Sequence, residues 1–231
     1  MRTATLAAIV AAAALAVPAI AAAAPRDSLF NSTSSNWSGY AATGQKFTSV
    51  SASWTQPLAT CGFGQTAASF WVGIDGDGSQ TVEQIGAYSN CTSANLPQYY
   101  AWYEMYPNPS YKTTNPLYPG DAMSASASVD KVGRFTLSIT DATQHWTTST
   151  TQRSSTAQLV SAEVIAEAPS TSSGIVPLTN FGSVTFTNAK ANGVSLETLN
   201  PDRIDMVSGT VTKASTGAIA NGAFTVTWKH S

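Results

Sequence analysis

The chain has 231 residues, enough for one large β domain or one ordinary domain together with a targeting segment. Only 10% of its residues are charged and its formal net charge is -2, so it offers no basic footprint for nucleic acid. Ser and Thr supply the surface polarity instead, and such a surface changes little as pH falls, which suits an acidic extracellular medium.

The first element lies outside the fold. Met1-Arg2 gives a short positive start, an apolar run extends from Leu6 to Val17, and Ala21 to Ala24 supply an Ala-x-Ala cleavage pattern. This predicts a secretory signal peptide over 1–24. The alternative, an uncleaved membrane anchor, is disfavoured because the run is near the lower length limit for a span and ends in small residues. Cleavage leaves 10 basic and 13 acidic side chains. Residues 25–35 read as a short polar lead-in and 36–231 as one domain, secreted to the extracellular space, monomeric and without stable membrane association. Secretion implies oxidising surroundings, so Cys61 and Cys91 are read as one disulfide, with two free buried thiols as the alternative. These cysteines and the distant His145 and His230 have no metal-ligand spacing, and neither a metal nor another cofactor is expected.

Downstream, helical periodicity is almost absent. Val50-Ser-Ala-Ser-Trp54, Met123 to Val129, Phe135 to Thr140, Ser183 to Thr187 and Phe224 to Trp228 each alternate apolar and polar residues. Period two with β-branched and aromatic enrichment predicts strands, and their regular spacing predicts an all-β antiparallel sandwich or barrel. Two stretches break the alternation. Ala67 to Ile74 is almost continuously apolar, and Tyr99 to Tyr106 is an aromatic run holding one carboxylate, Glu104. Strands apolar on both faces are central or line a cleft. Ser170 to Gly174 reads as a mobile loop, and His145 as a polar residue in a strand-like setting.

Two separated histidines argue against Ser-His-Asp and Cys-His sites. There is no Gly-x-Ser-x-Gly, no His-Glu-x-x-His and no Asp-Thr/Ser-Gly pair, so acid-base chemistry falls to carboxylates. Those in apolar surroundings are Glu83, Glu104, Glu163 and Glu167. If Ser161 to Pro169 is a strand, Glu163 and Glu167 share one face and Ala162, Val164, Ala166 and Ala168 the other. Spacing alone leaves open whether the two carboxylates form a site or simply face water.

Asn36-Trp-Ser-Gly-Tyr40, Phe70-Trp-Val-Gly-Ile-Asp-Gly76, Glu83-Gln-Ile-Gly86, Ala101-Trp-Tyr-Glu-Met-Tyr-Pro107, Pro119-Gly-Asp121, Ala162-Glu-Val-Ile-Ala-Glu167 and Phe181 to Phe186 occur in that order. Together they resemble the glutamic peptidase (eqolisin) family, here of bacterial type, over about residues 35–228. The resemblance implies a bent antiparallel β-sandwich of two sheets, of concanavalin-like or jelly-roll type, with a substrate cleft on its concave face. It implies a catalytic pair, Gln84 and Glu167, and puts Trp37, Trp71, Asp75, Trp102 and Glu104 at positions that line or support the cleft and bind substrate. Two departures stand out: Tyr88 and Tyr100 occupy positions where some members carry aspartate. The short lead-in also implies no bulky inhibitory prosegment.

The implied activity is acid endopeptidase action on polypeptides. Glu167 takes a proton from water and returns it to the leaving amine, while Gln84 holds the water through its oxygen and the oxyanion through its nitrogen. A neutral glutamine avoids the repulsion of two close carboxylates. Two rivals use the same residues. A carbohydrate-binding sandwich would stack sugars on the Trp and Tyr side chains. A glycoside hydrolase would use two of Glu83, Glu104 and Glu167.

Overall fold

A computed structural model describes residues 31–62 and 64–231; the predicted signal peptide lies outside the described residues. In chain order the strands are β1 (Ser32–Ser34), β2 (Trp37–Ala42), β3 (Ser49–Thr55), β4 (Thr66–Ile74), β5 (Val82–Cys91) and β6 (Pro97–Tyr106). Then come β7 (Tyr111–Lys112), β8 (Ala122–Val129), β9 (Arg134–Asp141), β10 (Trp146–Arg153), β11 (Ala162–Glu167) and β12 (Ser170–Thr171). The last are β13 (Gly174–Ile175), β14 (Ser183–Ala191), β15 (Val194–Ser195), β16 (Asp202–Ser208), β17 (Val211–Thr216) and β18 (Phe224–Trp228). One 3-10 turn, Leu196–Leu199, is the only helical element among the described residues.

Hydrogen bonding joins the strands in the order β10-β9-β8-β3-β14-β18-β17-β16-β2-β11-β4-β5-β6-β7. This ladder doubles back into two layers. The main core draws Val50, Met123 and Phe135 from one half and Phe70, Val72, Ile85 and Val164 from the other. β14 turns the corner. Its Ser183–Phe186 stretch pairs with β18, its Thr187–Ala191 stretch pairs with β3, and the register shifts between Thr187 and Lys190. Asn188 sits inside that shift with φ 51°, a left-handed bend that asparagine tolerates. The expected sandwich is therefore present, built from one continuous ladder.

Strand alternation decides which faces meet. β9 reads exposed-buried along its first half, with Phe135, Leu137 and Ile139 in the core. β4 and β5 are buried on both faces, as the unbroken apolar run of β4 predicts. Cys61 and Cys91 are bonded, tying the segment before β4 to the end of β5.

Three features differ from expectation. Ser32–Ser34, inside the predicted polar lead-in, pairs in parallel with β16 and so belongs to the sheet. Ser170 to Gly174 is no open loop; β12 and β13 form a small hairpin there. His145 is in the turn between β9 and β10, exposed, with φ 57°. Asp141 Oδ1 accepts hydrogen bonds from the Thr143 and Gln144 amides, and this winds the chain out of the strand before His145 is reached.

Candidate active site

β11 lies between β2 and β4. Ala162, Val164, Ala166 and Ala168 point into the main core, so Glu163, Ile165 and Glu167 occupy the opposite face. That face is not solvated. Glu163 and Glu167 are buried, beside a second apolar cluster that includes Trp37, Trp71, Tyr88, Trp102 and Ile165. Gln84 and Tyr88 of β5 share this face, while Ile85 and Ala87 enter the core. The layer is thus buried on both sides, and this second face gathers the carboxylates and Gln84.

At one end, Trp71 Nε1 donates to Glu167 Oε2 at 2.7 Å and Asn36 Nδ2 donates to Glu167 Oε1 at 3.3 Å. At the other, Gln84 Nε2 donates to Glu104 Oε2 at 2.7 Å. The β5–β6 register sets this contact, since Gln84 and Glu104 are direct partners. A carboxylate can only accept, so it holds the amide nitrogen and leaves the carbonyl oxygen free of this contact. Gln84 Oε1 is buried and has no hydrogen-bond partner. One indole ring connects the two ends. A Cβ added at Gly73 would lie 2.9 Å from Trp71 Cζ3 and 3.1 Å from Gln84 Cβ. Trp71 therefore lies across Gly73, with its benzo edge beside Gln84 and its nitrogen on Glu167. Trp37 packs edge-on against it at 5.1 Å between centroids. Trp102 Nε1 donates to Ser69 Oγ at 3.1 Å, and Ser69 is the β4 partner of Glu167.

Asp75, expected to line or support the cleft, is held by backbone amides. It leaves β4 with φ 74°, and its buried carboxylate accepts from the Gln158 amide at 2.6 Å and the Val160 amide at 2.7 Å. It fastens the strap before β11 and supports the site from behind. Glu83 belongs to the core side, opposite Gln84. Burial, then the charge of Asp75, pushes its carboxyl up to about 8. Glu83 therefore faces away from Glu104 and Glu167, which does not favour a glycosidase pair containing it. Glu163 Oε1 accepts from the Asp77 amide at 3.1 Å, and burial holds this carboxyl well above its ordinary value, with Asp77 adding to the effect.

Tyr88 and Tyr100 lie together on this second face, 4.9 Å between centroids, and Tyr88 also packs on Trp102 at 5.4 Å. Burial raises the Tyr88 hydroxyl well above its ordinary value, and Tyr100, Glu167 and Glu104 push it further. Sequence reasoning placed Glu104 at the cleft but missed that it grips Gln84. It also missed Asn36 as a partner of Glu167, although Asn36 opens one of the motifs.

The profile of the Peptidase A4 family matches residues 35–228. The chain is 28% identical to Aspergillopepsin-2 of Aspergillus niger over 181 residues, 68% of this chain and 64% of that protein. It is 39% identical to Scytalidopepsin B of Scytalidium lignicola over 109 residues, 45% of this chain and 39% of that protein. The matched regions thus span less than two thirds of either relative. The crystal structure of scytalido-glutamic peptidase with a transition state analog inhibitor superposes with a TM-score of 0.74 at 25% identity, covering 84% of this chain and 98% of that one. The family match spans nearly all of the described β-sandwich, so this chain belongs to the Peptidase A4 family.

Proposed function

We propose that the chain is a secreted acid endopeptidase that hydrolyses polypeptides through Glu167 and Gln84. The observation that carries this reading is the Gln84 amide, oriented by Glu104 so that an unpartnered carbonyl oxygen is presented on the face that holds Glu167. A water held by Gln84 Oε1 gives its proton to Glu167 as it attacks the scissile carbonyl. The second N–H of Gln84 Nε2 meets the developing oxyanion. Glu167 then returns the proton to the leaving amine. Trp71 and Asn36 keep the Glu167 carboxylate from rotating away, and Trp37, Trp71 and Trp102 keep bulk water out. Acid operation is supported by Glu83, whose carboxyl is pushed up to about 8 by burial, and by Glu163, whose carboxyl burial also raises.

The test compares Glu167→Gln, Gln84→Ala and Glu163→Gln on one peptide at acid pH, with circular dichroism as the folding control. Glu167→Gln is expected to fold and to lose at least the ~10²–10⁴-fold usual for removal of a general acid-base. Gln84→Ala is expected to fall comparably. Glu163→Gln keeps most of its turnover, because its carboxyl faces the Asp77 amide. Near wild-type cleavage by Glu167→Gln refutes the pair.

A further inference from the structure

β7 brings one cation onto the face that holds Gln84 and Glu167. Lys112 is the register partner of Trp102, Trp102 of Gly86, and Gly86 of Trp71. Direct partners in antiparallel strands share a face, so Lys112 stands in the same row as Trp71 and Trp102. Both residues of β7 are exposed. The Lys112 ammonium lies over the Tyr100 ring, 4.2 Å from its centroid. That ring is itself fixed: the Tyr100 hydroxyl accepts from Asn90 Nδ2 at 3.1 Å, and the ring packs on Tyr88. Burial pushes the Tyr100 hydroxyl up to about 12, so no phenolate neutralises the cation. The charge is thus aimed by its aromatic seat, and no carboxylate among the described residues is paired with it.

We propose that Lys112 is a specificity-determining residue of the cleft, favouring peptides with an acidic side chain at one fixed position from the scissile bond and disfavouring lysine or arginine there. This rests on the peptidase reading above. A rim cation attracts an anionic side chain and repels a basic one without touching the reacting atoms, so its effect belongs in KM and shrinks with salt.

The experiment uses the secreted protein and peptides that differ at one position among alanine, lysine and cysteic acid, the position being moved along the peptide. Cysteic acid keeps its sulfonate charge at acid pH, where an aspartate would take up a proton. Wild type is expected to prefer cysteic acid over alanine by about 3- to 10-fold in kcat/KM at one position, through KM. Lys112→Gln removes the preference, and Lys112→Glu removes it likewise, because an exposed glutamate takes up a proton at acid pH as aspartate would. Both variants keep kcat on the alanine peptide within about 2-fold. An unchanged profile in Lys112→Glu, or an equal loss of kcat on all three peptides, overturns the proposal. A wild type that cleaves all peptides and ignores charge defeats only the role of Lys112. One that cleaves none defeats the peptidase reading itself.

Discussion

β10 and β11 treat their second face in opposite ways. β10, at the end of the ladder, alternates half-buried and exposed from Trp146 to Arg153, while every residue of β11 is buried. The outer strand gives one face to water and fills it with Thr and Ser. The inner strand covers both faces, and the one turned from the core holds Glu163 and Glu167. Burying carboxyls without partners is costly, so such a face persists only where donors are supplied. Trp71, Asn36 and the Asp77 amide supply them here. Where an antiparallel strand loses its wet face and keeps its carboxyls, chemistry is the reason to look for.

The comparison breaks in fold and turnover together at Gly86. A Cβ there would lie 2.3 Å from the Phe70 carbonyl oxygen and 2.5 Å from Trp71 Cβ. Gly86→Ala is expected to destabilise the protein by on the order of 3 kcal/mol and to push Trp71 off Glu167. Urea denaturation and peptide turnover check both effects, which should appear together.

The next effect is a pH dependence at Glu83 of the inner layer. Glu83 has its carboxyl raised from the ordinary 4.5 to about 8, by burial and by Asp75. The folded state therefore holds this proton more tightly than the unfolded chain. Its stability contribution is complete below about pH 4.5 and is lost as pH rises through about 8. The shift corresponds to on the order of 4–5 kcal/mol. Glu83→Gln is expected to match wild type near pH 4 and to melt later than wild type above pH 7, as thermal melts across pH would show. Equal melting at both ends would refute it. The smallest effect belongs to the outer strand. Thr151 is exposed on β10, and Thr151→Val is expected to change stability by no more than about 0.5 kcal/mol and activity not at all.

Much of this contrast is written in the residue pattern. The alternation of Val50 to Trp54 and Phe224 to Trp228 marks strands because each has one dry face, and the continuous run before Asp75 marks a central strand because it has two. The shared face of Glu163 and Glu167 follows from period two alone. Burial of that face does not, because it depends on Trp37 and Trp71 arriving from other strands. Glu104 illustrates the same limit. Its grip on Gln84 depends on the hairpin that aligns Cys91 with Pro97, and no local spacing records that register. The resemblance puts Asp75 among positions that line or support the cleft, but its two amide partners on the strap, Gln158 and Val160, are recorded by no local spacing. β16 went unrecognised because the charges of Asp202, Arg203 and Asp205 hide the buried Ile204 and Met206.

β14 leaves the two layers without a seam. One strand pairs with β18 over its first half and with β3 over its second. Peeling the outer strands away would break the same backbone that closes the inner layer. The molecule should therefore melt as one cooperative unit, with calorimetric and van't Hoff enthalpies in agreement. If the proposed peptidase reading holds, this bears on self-digestion. Without a loosened half to attack, self-digestion is limited to the rare fully open chain, and loss of structure and loss of activity keep the same clock.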